Sequence, residues 1–64
     1  LNWKKVGQKI KLSRHLNNMH QKELATALGV TISMISKYEA GCSSIPFEKL
    51  KTICRMLNLN IAEL

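Results

Sequence analysis

The sequence predicts an all-α fold, a compact orthogonal bundle of about five helices. Three observations lead there. Apolar residues recur at three- and four-residue steps along most of the chain, no stretch alternates as a strand would, and the connections between the periodic segments are short. Only 64 residues are present, room for one domain spanning 1–64 with one small core, which buries about 60% of the surface the unfolded chain exposes.

The first helix is expected from Asn2 to about Leu16, with Val6, Ile10 and Arg14 on one stripe and Lys4, Lys5, Lys9 and Lys11 on the other faces. Trp3 either closes one end of the core or offers a stacking surface. Asn17 and Asn18 form a connector, asparagine being the best non-glycine residue for a left-handed turn position. Met19 is expected in the core, and His20 makes a weak N-cap for the second helix.

Gln21 to Gly41 organises the rest. Leu24, Ala25 and Leu28 line one face of a second helix, and Ile35 and Tyr38 line one face of a third. The reversal between them falls at Gly29, because glycine alone enters the left-handed conformation cheaply. Val30 plugs the corner, Thr31 caps the third helix, and the small Ala25 allows the two axes to approach. Further on, Pro46 suits the start of a fourth helix whose apolar face is Phe47, Leu50, Ile53, Cys54 and Leu57. Asn60 and Glu63 are spaced as a capping box for a short fifth helix.

Gln21, Leu24, Ala25, Leu28, Gly29, Val30, Thr31, Ile35, Ser36, Glu39 and Gly41 together resemble the helix-turn-helix of the Cro and lambda-repressor-like (XRE-type) family. That resemblance extends from about Val6 to Leu64 and implies that the second and third helices form the helix-turn-helix. It implies base-reading positions at Ile32, Ser33, Ser36 and Lys37, with Gln21 on phosphate. Lys22, Ser43 and Ser44 are further candidates for phosphate contacts, although the loop Cys42 to Ile45 lacks the positive charge many relatives carry there. It also implies an ion pair between Arg14, otherwise anomalous on an apolar stripe, and Glu39; the competing role for Arg14 is a phosphate contact.

Charge agrees with a polyanionic partner. Ten Lys or Arg against four Glu give a net charge of +6 and a pI near 9.8. No apolar run approaches the ~20 residues that span a bilayer, and the N-terminus lacks a signal-peptide core, so a cytoplasmic location without a membrane partner is the expectation. Cys42 and Cys54 read as reduced thiols, and no metal-ligand spacing or cofactor motif accompanies them. No catalytic constellation is visible, so an enzyme is not expected. The partner that fits is double-stranded DNA, bound by a homodimeric transcriptional regulator, most simply a repressor. Ile61 and Leu64 are candidates for its dimer interface or for completing the core. Two other readings stand beside this one: a protein-interaction module such as an antitoxin, with a protein partner, and the DNA-targeting domain of a larger protein.

Overall fold

The computed structural model describes all of residues 1–64. Four α-helices follow in order, α1 (Trp3–Leu16), α2 (Gln21–Leu28), α3 (Ile32–Ala40) and α4 (Phe47–Leu57), and a 3-10 turn covers Ile61–Glu63. The class is all-α as the periodicity predicts, with four α-helices in place of about five. At the expected fifth helix, Asn60 Oδ1 accepts the amide of Ala62 at 3.0 Å and the Asn60 carbonyl accepts the amide of Glu63 at 3.0 Å. That i to i+3 pattern is a 3-10 turn, and the Glu63 side chain does not close a capping box.

Each boundary has a chemical cause. Asn2 caps α1 by accepting the Lys5 amide, and Thr31 caps α3 by accepting the Met34 amide at 3.1 Å. His20 supplies no side-chain cap to α2; its own amide instead donates to Glu23 Oε1 at 3.2 Å. Gly29 ends α2 at φ 68°, and the connector residue Asn18 takes φ 53°. Both are left-handed positions, filled by the two residue types that tolerate them. Lys49 donates to the Leu28 carbonyl at 3.2 Å, so a cation sits at the negative end of α2.

The core is one cluster built from every helix: Val6 and Ile10 of α1, Leu24, Ala25 and Leu28 of α2, Ile35 and Tyr38 of α3, and Leu50, Ile53, Cys54 and Leu57 of α4. Ile45, in the loop before α4, completes it. That residue takes the place expected for Phe47, which is 64% exposed. Pro46 lies between them, and the helix starts at Phe47, so the ring leaves the inward stripe and lies under the Lys51 ammonium, 5.4 Å from its centroid. Met19, Val30 and Trp3 pack against the cluster from its edges. Cys42 and Cys54 are both free, and burial pushes the Cys54 thiol pKa up. No helix is long and apolar enough to cross a membrane.

α3 packs against both α1 and α2, and α4 closes the other side against the same two helices. The approach of α1 to α3 depends on Gly7: a Cβ there would collide with the backbone carbonyl oxygens of Tyr38 and Glu39. Sequence reasoning assigned Gly7 no role, since glycine inside a helix carries no periodic signal.

Gly7→Ala is therefore expected to destabilise by about 1–3 kcal/mol through overpacking, despite the better helix propensity of alanine. Urea denaturation checks it; an unchanged or raised midpoint would show that the helices can part freely. Iodoacetamide should modify exposed Cys42 in the native protein and reach Cys54 only on unfolding, which mass spectrometry of timed samples will reveal.

Candidate nucleic-acid interface

The buried face of α3 is Ile35, Tyr38 and Glu39. By helical spacing Ser33 and Lys37 lie opposite it and Ile32 and Ser36 flank it, and all four are exposed. Ile32 is 47% exposed, an apolar side chain on the outer surface of a nine-residue helix. Nothing in the fold occupies it. Ser33 and Lys37 make no side-chain hydrogen bond within the chain, and Lys37 has no acidic partner.

What holds this face in place is a buried polar cluster at the junction of α1, α2 and α3. Arg14 Nε donates to Glu39 Oε2 at 2.6 Å and Arg14 Nη2 donates to Glu39 Oε1 at 3.2 Å, a two-pronged pair. Arg14 Nη1 donates to the Met19 carbonyl at 2.9 Å, tying in the connector between α1 and α2. The two side chains are only 7% and 3% exposed, yet no buried side-chain nitrogen or oxygen in the protein lacks a partner. Burial of this pair is tolerable because every polar atom is satisfied.

Gln21, at the first position of α2, joins the cluster. Its Nε2 donates to Glu39 Oε1 at 3.0 Å, and Ser36 Oγ donates to Gln21 Oε1 at 3.3 Å. Gln21 thus bridges the buried pair and the outer face of α3, a link the sequence did not reveal, because nothing in local spacing ties residue 21 to 36 or 39. It remains half-buried, with one edge toward solvent. Lys22 beside it is exposed. In the loop after α3, Ser44 is exposed and Ser43 half-buried, so the two differ in how far they are open to a ligand. The structure brings Gln21, Ser36, Glu39 and Arg14 into one connected group; Ser43 and Ser44 stand apart from it.

A helix with a rigidly held inner face and a free outer face of apolar, hydroxyl and cationic groups suits insertion into a DNA major groove. Comparison with known proteins agrees. A family profile described as Helix-turn-helix matches residues 10–64, and the chain belongs to that family, in its Cro and lambda-repressor-like (XRE-type) branch. It is 35% identical over 57 residues to an uncharacterized HTH-type transcriptional regulator of Sinorhizobium medicae, covering 89% of this chain and 41% of that protein. Another such regulator, from Sinorhizobium fredii, is 37% identical over 54 residues, covering 84% of this chain and 38% of the relative. The Antitoxin PezA of Streptococcus pneumoniae is 30% identical over 59 residues, covering 92% of this chain and 37% of that protein. The chain thus spans about two fifths of the length of these curated relatives. No solved structure matches it significantly.

Truncating one partner of the buried pair should cost far more than a surface ion pair. Arg14→Ala or Glu39→Ala is expected to lose about 3–5 kcal/mol. The exposed Glu48–Lys51 pair, at 3.5 Å, should yield under about 1 kcal/mol in the same denaturation assay. Equal losses at the two sites would contradict the role assigned to burial.

Proposed function

We propose that residues 1–64 act as a single sequence-specific DNA-binding domain of a transcriptional regulator, most simply a repressor that occupies its operator. The observation that carries this reading is the outer face of α3, where Ile32, Ser33, Ser36 and Lys37 are all exposed on a helix fixed by its buried side. In this reading Lys37 donates to guanine O6 and N7, Ile32 packs on a thymine methyl, and the two serines contact polar base edges. Gln21, with one amide N–H not used by Glu39, and Lys22 meet phosphates at the start of α2, where the backbone amides also point outward. Ser44 adds a contact from the loop, with Ser43 a lesser one. No step needs a metal, a cofactor or catalysis, and the protein works in the cytoplasm, where its DNA lies.

Two copies acting together fit a symmetric operator, with helices α3 about 34 Å apart. Support for self-association comes from an apolar groove of about 510 Å³ lined by residues that include Trp3, Ile45, Phe47, Leu50 and Ile61. Leu64 is half-buried against the core and does not line that groove. A second reading is favoured by the similarity to Antitoxin PezA: a module that engages a protein partner and represses its own gene secondarily. A third reading, in which the domain targets a larger protein to DNA, is in keeping with the greater length of the relatives.

Selection of bound duplexes from a random pool at near-physiological salt should recover a two-fold symmetric site, whereas an unenriched pool would overturn the regulator reading. On that site Lys37→Ala should lose about 1–3 kcal/mol at one base pair, and Lys22→Ala should weaken all sequences alike while lowering the salt slope by about 1. Loss of specificity in Lys22→Ala, or a uniform loss in Lys37→Ala, would reverse the two assignments.

A further inference from the structure

Gln21 stands between a buried ion pair and the exposed face of α3, and every hydrogen bond it makes has a forced polarity. Both oxygens of Glu39 accept from the guanidinium of Arg14, a group that can only donate. The end of the Gln21 amide that lies 3.0 Å from Glu39 Oε1 must therefore be the donor, Nε2. Its Oε1 is turned by that choice toward Ser36, 3.3 Å away. An amide oxygen only accepts, so the contact requires Ser36 to donate. A serine hydroxyl has one proton and two lone pairs. With the proton committed inward, Ser36 Oγ presents lone pairs alone to whatever lies outside α3. Ser33, one turn earlier on the same face, makes no such bond and keeps a freely turning hydroxyl.

From this the geometry points to Ser36 as an acceptor-only reader of base edges, with Gln21 as the positioning residue that sets its polarity. Resting on the DNA-binding reading above, the inference narrows it: a serine free to rotate serves donor and acceptor bases equally, whereas Ser36 takes a hydrogen bond only from an exocyclic amine, N4 of cytosine or N6 of adenine. Guanine and thymine offer O6, N7 and O4 at the same depth. Two sets of lone pairs would then face each other, with no proton between them. The discrimination is made by a chain of four side chains that starts at Arg14, three of which need not touch a base.

The test uses the selected duplex and versions of it in which single exocyclic amines are removed, purine replacing adenine and 2-pyrimidinone replacing cytosine. Affinities of the unaltered protein, Ser36→Ala and Gln21→Ala are compared on each. For the unaltered protein, removal of one particular amine should weaken binding about tenfold. In Ser36→Ala that same removal should have no effect. In Gln21→Ala, which frees the Ser36 proton, the penalty should fall to about twofold or less, while penalties at other bases persist. Amide NMR spectra of the variants establish that each remains folded. Coupling of Ser36 to a carbonyl oxygen, seen on replacing guanine by 2-aminopurine, overturns the inference and leaves the regulator reading intact. So does an amine penalty that Gln21→Ala leaves unchanged, or the lack of any base-specific effect in Ser36→Ala. A protein without sequence preference overturns both.

Discussion

A single buried ion pair, Arg14 with Glu39, fixes how three of the four helices meet. The core around it is one small apolar cluster, and apolar burial has no preferred direction of its own. A paired guanidinium and carboxylate impose directions as well as proximity. Arg14 comes from α1, Glu39 from α3, the Met19 carbonyl from the connector and Gln21 from α2, so one charged cluster sets the register of the whole helix-turn-helix against its support. Removing charges from water is costly, and an apolar replacement of similar volume could be as stable. The pair's distinct contribution is orientation.

That constraint was legible in the sequence only from one side. Arg14 occupies a position on the stripe of Val6 and Ile10 where an apolar residue belongs, which signals a buried partner, and family resemblance supplied Glu39. Periodicity likewise located α1 to α4, and Gly29 located the turn. What stayed hidden were features set by three-dimensional approach. Ile45 and Phe47 flank Pro46, and which of two apolar residues turns inward at a helix start depends on where the helix begins, a boundary the pattern does not define to one residue. The bridge through Gln21 joins residues 15 and 18 positions apart in sequence. The 3-10 turn differs from an α-turn by one residue of hydrogen-bond register, which composition cannot resolve.

Net charge also means something different once the side chains have places. Six of the ten basic residues lie between Lys4 and Lys22. Several cations are committed within the fold: Arg14 to Glu39, Lys49 to the end of α2, Lys51 to Glu48 and the Phe47 ring, and Lys9 to the Glu63 carbonyl at 3.0 Å. The net charge of +6 already subtracts the two glutamates paired here, so these contacts change where the charge sits and not its sum, and the surface potential still steers association from a distance. Lys37 on α3 and Lys22 in the first turn of α2 have no intramolecular partners.

The close passage of α1 past the end of α3 has a consequence for how such a domain changes over generations. Gly7 meets the carbonyls of Tyr38 and Glu39, and Gly41, at φ 74°, leaves no room for a Cβ against the Lys4 backbone. Backbone meets backbone at both points, and neither glycine is on the outer face. The axis of α3 is thereby set by residues that carry no information about a target, while the residues that would carry it project from a surface with no structural duty apart from Ser36. Outer side chains can be exchanged without moving the helix that bears them. The fold separates aiming from reading, and a lineage can acquire a new target by altering a few surface letters on an unchanged frame.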